Sequence, residues 1–104
     1  MYSLEFSEMA KQDMMHIAEY ITNTLQNPSA AQNLSVKMFE ATNRLTDFPY
    51  INPAHQSQLI SEFEYRKLAA QNYIILYRID ENEKKVIIMR AVYARRDYEK
   101  ILEV

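Results

Sequence analysis

The sequence predicts an α+β domain in which an antiparallel helical hairpin covers one face of a small, mainly antiparallel β-sheet. Two observations indicate this fold class. Residues 8–47 repeat their apolar side chains at helical spacing, whereas residues 63–93 form alternating, β-branched runs separated by polar turns. With 104 residues and no internal repeat, we expect a single domain over residues 1–104.

The first element is a predicted strand at residues 2–7, where apolar and polar side chains alternate. Ser7 stands where a helix N-cap belongs, and Glu8 would face the positive end of the helix dipole. From Glu8 to about Leu25 the apolar residues fall on one stripe, as in an amphipathic helix. Gln26-Asn27-Pro28 then interrupts the pattern, so the first helix is expected to end near Leu25.

A second helix is predicted from a capping box of Ser29 and Gln32 to about Asp47. Pro49 ends it, because proline disfavours helical geometry in the residue before it. The loop between the two helices is so short that they should form an antiparallel hairpin. Residues 49–61 contain two prolines and show no periodicity, which indicates a surface loop.

Three antiparallel strands are predicted next, at residues 63–69, 73–79 and 86–93. The middle strand is apolar on both faces, as a central strand should be. Asn82 is the expected residue of positive φ in the turn before the last strand, because the chain contains no glycine. A short C-terminal helix is predicted at residues 95–102.

The composition excludes several classes of function. The chain has no cysteine and two histidines, so a thiolate nucleophile is impossible and a structural zinc site is close to excluded. Without glycine it cannot build a glycine-rich phosphate-binding loop. Its longest apolar run, residues 73–77, is far shorter than the roughly 20 residues of a membrane span, and residues 1–13 lack the basic region and the long apolar stretch that a signal peptide would have. We expect a cytoplasmic protein with no metal, no cofactor and no membrane contact.

The basic side chains concentrate in the C-terminal third, which contains the candidate site. Residues 63–98 carry eight Lys and Arg against five Asp and Glu, whereas residues 1–62 carry three against seven. The strand arginines could converge on the sheet face that the helices leave open, with Arg95 and Arg96 at its rim. Such a surface could stack and neutralise single-stranded RNA, dock an acidic amphipathic segment, or be a solvated face with ion pairs. The candidates are Arg66, Arg78 and Arg90 on the strands, then Tyr93, Arg95, Arg96 and Tyr98.

Several short motifs follow one another along the chain in a recognisable order. They are Phe6-Ser7, Asn27-Pro28, Leu45 with Phe48-Pro49, Tyr65-Arg66-Lys67-Leu68, residues 72–79, and Arg95-Arg96-Asp97-Tyr98 with Ile101-Leu102. In order and spacing they resemble the RelE/ParE superfamily of bacterial type II toxin–antitoxin toxins over nearly the whole chain.

This resemblance implies a growth-inhibiting toxin of the kind that stabilises plasmids, neutralised by a cognate antitoxin and meeting promoter DNA only through that complex. Members of the ParE branch inhibit DNA gyrase, and members of the RelE branch cleave messenger RNA in the ribosome. A third possibility is a relative that keeps the fold and binds antitoxin without toxicity. The ParE-like toxin is our first hypothesis and the ribosome-dependent endoribonuclease its alternative.

The choice between the branches depends on the site residues that the resemblance implies. In the RelE branch, basic groups stabilise charge on the scissile phosphate while an acid and a base transfer protons. Arg66 and Arg95 match basic residues of that site. Ile74 stands where ribonuclease members often have Arg, and Tyr93 stands where many superfamily members have His. A ribonuclease would use Arg66, Arg78, Arg90, Tyr93 and Arg95, whereas Arg95, Arg96 and Tyr98 are the expected partner-binding residues.

Overall fold

A computed structural model describes residues 1–56 and 64–95, and it confirms the α+β class: a helical hairpin packs on one face of a five-stranded sheet. The predicted C-terminal helix lies, apart from Arg95, outside the described residues. The elements are β1 (Ser3–Phe6), α1 (Glu8–Glu19), a π-helical turn (Tyr20–Thr24), α2 (Pro28–Arg44), β2 (Ala54–Gln56), β3 (Glu64–Ala70), β4 (Tyr73–Asp80) and β5 (Lys85–Tyr93).

The sheet has the order β1-β5-β4-β3-β2. The meander β3-β4-β5 is antiparallel, as predicted, whereas β1 lies parallel to β5 with Leu4 opposite Val86. The short strand β2 pairs antiparallel with β3 inside the segment that we expected to be a loop, so that expectation is wrong for residues 54–56. Three residues are too few to show a period, and their pairing with β3 is a long-range contact.

The first helix begins where the sequence predicts. The hydroxyl of Ser7 accepts a hydrogen bond from the backbone N–H of Ala10 at 3.0 Å and donates one to the carbonyl of Met89 at 2.8 Å. The N-cap therefore also anchors α1 to β5. The α-helix ends at Glu19, and the π-helical turn that follows it ends at Thr24, one residue before the predicted end at Leu25.

The second helix begins two residues earlier than predicted. The side chain of Asn27 caps it by accepting a hydrogen bond from the N–H of Ala30 at 3.1 Å, so the expected capping box of Ser29 and Gln32 is wrong. Pro28 explains the difference, because its fixed φ suits the first helical position and it has no N–H to satisfy. The helix ends at Arg44, three residues before the predicted end.

The turn between β4 and β5 also differs in detail. The residue of positive φ is Lys84, with φ 52°, and not Asn82. The carboxylate of Asp80 accepts a hydrogen bond from the N–H of Glu83 at 3.1 Å, which closes the turn over Asn82. The left-handed residue therefore falls immediately before β5.

The core lies between the hairpin and the face of β4 that carries Tyr73, Ile75 and Tyr77. In β5 the register shifts, because Tyr77 stands opposite Ile88 whereas Leu76 stands opposite Arg90. Met89 is the additional residue of this bulge. It reverses which face of the sheet each later residue of β5 occupies. The buried contributors are Ala10, Ile21, Ala31, Leu34, Met38 and Leu45 from the hairpin side and Ala70, Ile75, Tyr77, Val86, Ile88 and Ala91 from the sheet.

Candidate functional site

The structure divides the three strand arginines between the two faces of the sheet. Arg66 stands opposite Tyr77 and Arg90 opposite Leu76, and residues opposite one another share a face. Tyr77 belongs to the core under the helices, so its partner Arg66 also lies on the side of the helices. Arg78 follows Tyr77 in the strand and therefore lies on the other face. The expectation that the three converge on one open face is wrong, because the strand register was not readable from the sequence.

Arg90 is held by the first helix. Its guanidinium donates hydrogen bonds to the carboxylate of Asp13 at 2.7 Å and 3.0 Å, and both side chains are 16% exposed. The same carboxylate accepts the backbone N–H of Ala91 at 3.0 Å. Because β1 ends at Phe6, this part of the β5 edge lacks the pairing with β1, and Asp13 supplies an acceptor in its place. The arrangement joins α1 to the sheet edge.

Arg66 holds the segment that follows the second helix. Its guanidinium donates a hydrogen bond to the carbonyl of Asn52 and lies over the ring of Tyr50, 4.9 Å from the centroid. The buried hydroxyl of Tyr77 accepts from the Asn52 amide and donates to the carbonyl of Pro49, both at 3.2 Å. Burial raises the pKa of Tyr77, which keeps the hydroxyl protonated and able to donate.

Arg66 and Arg78 nevertheless meet at one shallow cavity of about 250 Å³. The cavity is also lined by Tyr50, Glu64 and Ile79. Two guanidinium groups and one carboxylate leave it with one positive charge in excess, which favours an anionic group. It is the place where the structure brings two of the predicted site residues together.

A network centred on Glu81 adjoins this cavity. The carboxylate accepts hydrogen bonds from Tyr2 at 2.8 Å and 2.9 Å, and from Tyr50 and Lys84. The pKa of Glu81 is lowered to about 2, above all by the hydrogen bond from Lys84. The pKa of Tyr50 is raised to about 12, chiefly by its hydrogen bond to this carboxylate. The two shifts keep Tyr50 neutral beneath the guanidinium of Arg66.

Tyr93 lies at a second cavity, of about 670 Å³, between the end of the first helix and the β3–β4 turn. The residue is 43% exposed, and its ring meets the ring of Tyr73 edge to face, with centroids 5.8 Å apart. Burial, together with the nearby phenol of Tyr20, raises the pKa of Tyr73. Arg95 is exposed just beyond the strand.

The five proposed catalytic residues therefore do not form one cluster. Tyr93 stands opposite Tyr73 and Arg66 stands opposite Tyr77, and these partners are four residues apart on β4, or about 13 Å along the strand. Arg96 and Tyr98, two of the expected partner-binding residues, lie outside the described residues. Their predicted roles stay predictions.

A third concavity runs between the two helices and is mainly apolar. This groove has a volume of about 380 Å³. Phe39 stands at its border with 62% of its surface exposed, and Lys11 places a positive charge at the rim. Exposed apolar surface of this kind is typical of protein interaction sites. The groove is lined by Phe6, Lys11, Met14, Ile17, Ala18, Ala31, Leu34, Ser35, Met38 and Phe39.

Comparison with known protein families shows which family the chain belongs to. Residues 4–98 match the family described as the ParE toxin of the type II toxin–antitoxin system parDE. The chain belongs to this family. It is a toxin of the type II toxin–antitoxin class and a member of the RelE/ParE superfamily, as the resemblance implies. No curated protein matches the sequence significantly.

Solved structures share the fold of this ParE-family toxin at low identity. A chain of the chromosomal ParDE toxin–antitoxin system from P. aeruginosa is 18% identical with a TM-score of 0.72, over 91% of this chain and 98% of that one. A chain of the archaeal RelE–RelB complex from Pyrococcus horikoshii OT3 is 10% identical with a TM-score of 0.62, over 91% and 97%. A chain of the RelBE2 complex from Mycobacterium tuberculosis is 18% identical with a TM-score of 0.54, over 88% and 96%.

Three side chains of this ParE-family toxin were missed as parts of the site: Asp13, Tyr50 and Glu81. Asp13 is 77 residues from Arg90, and Tyr50 is 31 residues from Glu81, so no local motif marks either contact. Within residues 1–56 and 64–95 no three His, Asp or Glu side chains are grouped to hold a metal ion. The helices described there are too short or too polar to cross a membrane.

Proposed function

We propose that this ParE-family toxin inhibits growth by binding DNA gyrase in the cytoplasm, without catalysing a reaction itself. The match of residues 4–98 to the ParE family is the observation that carries the proposal. The placement of the candidate catalytic residues supports it. Cleavage of RNA needs cations and a proton-transferring group at one phosphate, whereas Arg66 and Tyr93 line different cavities.

The internal contacts of the arginines support the same proposal. Arg90 is committed to Asp13, and Arg66 to Asn52 and Tyr50. An arginine that neutralises a phosphate in a transition state has to offer its donors to the substrate. Here the contacts of both guanidinium groups with Asp13, Asn52 and Tyr50 hold parts of the fold together.

A cognate antitoxin is the second partner in the proposal, and the groove between α1 and α2 is its docking site. The solved relatives from P. horikoshii and M. tuberculosis are chains of toxin–antitoxin complexes. The groove offers an apolar floor at Met14 and Ile17, and at its rim Lys11, which forms an exposed ion pair with Glu8 that an acidic partner could replace. An amphipathic antitoxin helix with an acidic residue at its border would fit this chemistry.

The test is to induce the chain in bacteria without its antitoxin and to follow labelled thymidine and labelled amino acids over the first minutes. We expect thymidine incorporation to fall first, and the purified chain to inhibit DNA supercoiling by gyrase. A first fall in amino-acid incorporation, with cleavage of ribosome-bound messenger RNA, would overturn the gyrase target in favour of ribonuclease activity.

The change Tyr93→Phe removes a single oxygen atom and distinguishes gyrase binding from ribonuclease activity. It removes a hydroxyl that could transfer a proton and keeps the ring against Tyr73. Full toxicity is expected for a gyrase-binding toxin. Tyr20→Phe is the matched control, because Tyr20 lines the same cavity and is not a candidate acid or base. Toxicity lost with Tyr93→Phe and kept with Tyr20→Phe would contradict the proposal.

A further inference from the structure

Three tyrosines line the cavity of about 670 Å³ beside the end of the first helix. Tyr20 and Tyr93 are 52% and 43% exposed, and the ring of Tyr93 meets that of Tyr73 at an angle of 78°. Burial raises the pKa of Tyr73, and the phenols of Tyr20 and Tyr93 add to the shift. The phenol from the helical hairpin therefore lies close to the two phenols from the sheet.

The backbone on both sides of this cavity is held in place. Tyr20 begins the π-helical turn, and its carbonyl accepts the N–H of Leu25 at 3.1 Å, one residue later than in an α-helix. On the sheet side Gln71 has φ 55°, a conformation that residues other than glycine adopt rarely. The carbonyl of Asn72 accepts the N–H of Ala94 at 2.9 Å, which ties the β3–β4 turn to the end of β5. The cavity is therefore preformed, as ligand sites usually are.

The walls of the cavity are uncharged. None of the described residues that line it is a lysine, arginine, aspartate or glutamate. Residues 20–36 and 68–77 supply most of these walls, and they contain no such residue in a protein that is 25% charged. The polar groups of the lining are phenols, side-chain amides and an imidazole, each able to accept a hydrogen bond.

A lining of this kind selects a cation. The faces of aromatic rings attract ammonium and guanidinium groups and repel anions, most strongly where water is excluded. The chain already pairs cations with tyrosine rings elsewhere, because Arg66 lies over Tyr50 and Lys84 over Tyr2. A guanidinium suits the cavity better than an ammonium group, since it is planar, weakly hydrated and carries five donors.

The position of the cavity indicates which partner supplies this cation. The cavity shares Ile17 and Leu34 with the groove proposed for the antitoxin, but its three tyrosines lie outside that groove. An antitoxin seated in the groove would leave Tyr20 and Tyr93 free to meet another protein. Tyrosine and arginine are enriched among the side chains that dominate binding at protein interfaces.

On the basis of the proposed function, in which the target is DNA gyrase, we infer that Tyr20, Tyr73 and Tyr93 form an aromatic cage that receives an arginine side chain of the target protein. Tyr93 then acts through its ring, and its hydroxyl transfers no proton.

The first experiment changes the two exposed rings in the full-length protein and measures the concentration that half-inhibits DNA supercoiling by purified gyrase. Tyr20→Leu and Tyr93→Leu keep apolar bulk without a ring, and each should raise this concentration about tenfold. Tyr20→Phe and Tyr93→Phe keep the ring and should restore inhibition to within about twofold. Phe48→Leu is the matched control, because Phe48 is 63% exposed and lines neither this cavity nor the groove.

The pattern of losses distinguishes the possible occupants. Equal losses with leucine and phenylalanine would assign the contact to the hydroxyls, and no loss with leucine would assign it to an apolar side chain. Either result would overturn the inference. Antitoxin affinity that falls in Tyr20→Leu while gyrase inhibition is kept would assign the cage to the antitoxin and would also overturn it. Thermal unfolding of the leucine variants should match that of the unchanged protein, since both side chains are exposed.

A second measurement needs no gyrase, so it separates a failure of the cage from a failure of the proposed function. N-acetyl-arginine amide is titrated into the purified protein while the NMR signals of the tyrosine rings are followed. The citrulline derivative has the same shape without the charge. We expect the arginine compound to bind at least about fivefold more tightly, and this difference to vanish when Tyr20→Leu and Tyr93→Leu are combined.

Equal binding of the two compounds, or binding of neither, would overturn the inference even if the protein inhibits gyrase. Preferential binding of the arginine compound by a protein that does not inhibit gyrase would instead overturn the proposed function, and with it gyrase as the source of the arginine.

Discussion

Asp13 joins the first helix to the last strand through two hydrogen bonds from Arg90 and one from the N–H of Ala91. We expect Asp13→Ala to lower the free energy of unfolding by about 2–4 kcal/mol, because it removes a largely buried, charged acceptor of all three. Glu8→Ala is the control on the same helix. Its ion pair with Lys11 is exposed and should contribute only about 0.5 kcal/mol. Chemical denaturation of both variants measures the difference, and equal losses would contradict the role of Asp13.

Glu81 makes the stability of the fold depend on pH in the acid range. Its pKa in the folded protein is about 2, below the ordinary 4.5, so the carboxylate stabilises the fold above pH 4.5. That contribution is lost as the pH falls from 4.5 towards 2, because protonation removes the acceptor of Lys84, Tyr50 and Tyr2. We expect the melting temperature of Glu81→Gln to fall less steeply over this range than that of the unchanged protein.

The control for this pH dependence is Glu83→Gln, which removes one carboxylate from the same turn without touching the network around Glu81. Its melting temperature should follow the acid limb of the unchanged protein. Thermal unfolding followed by circular dichroism at half-unit steps from about pH 2 to 6 gives the comparison. Parallel curves for Glu81→Gln and the unchanged protein would show that the network does not contribute.

At the scale of elements, the start of α2 allows a test of the observed cap, Asn27, against the expected cap, Ser29. Asn27 accepts the N–H of Ala30, so Asn27→Ala should cost about 1 kcal/mol of unfolding free energy. Ser29 lies inside the first turn, and Ser29→Ala should be neutral or slightly stabilising because alanine is the better helix former. Urea denaturation of the pair tests the assignment. The reverse order of losses would restore the capping box.

The elements also show what the sequence could predict. Strands β3, β4 and β5 were predicted to within a residue or two, because alternation and β-branched side chains are local signals. The bulge at Met89 leaves no such signal, and it reverses the alternation before Arg90. The sequence therefore predicts which residue types make up the candidate site. It does not predict which sheet face each one occupies, because that depends on strand register and on distant contacts such as the one between Arg90 and Asp13.

At the scale of the whole molecule, three concavities of the described surface differ in their chemistry and position. The groove between the helices is apolar, the cavity at Arg66 and Arg78 is polar and cationic, and the cavity at Tyr93 lies at the other end of the sheet. An antitoxin seated in the helical groove would leave both other cavities uncovered unless it continued around the molecule. On the proposed docking site, we expect neutralisation of the toxin and binding of its target to be separable by mutation.

Phe39→Ser tests that separation. The side chain is 62% exposed at the border of the groove, so its loss should leave the fold intact and weaken antitoxin binding about tenfold or more. Val36→Ser is the matched control, since Val36 is 51% exposed on the same helix and does not line the groove. We expect its affinity to change by less than about threefold. Titration calorimetry with the cognate antitoxin measures both. Phe39→Ser should still arrest growth but resist neutralisation, whereas equal affinities for the two variants would place the antitoxin elsewhere.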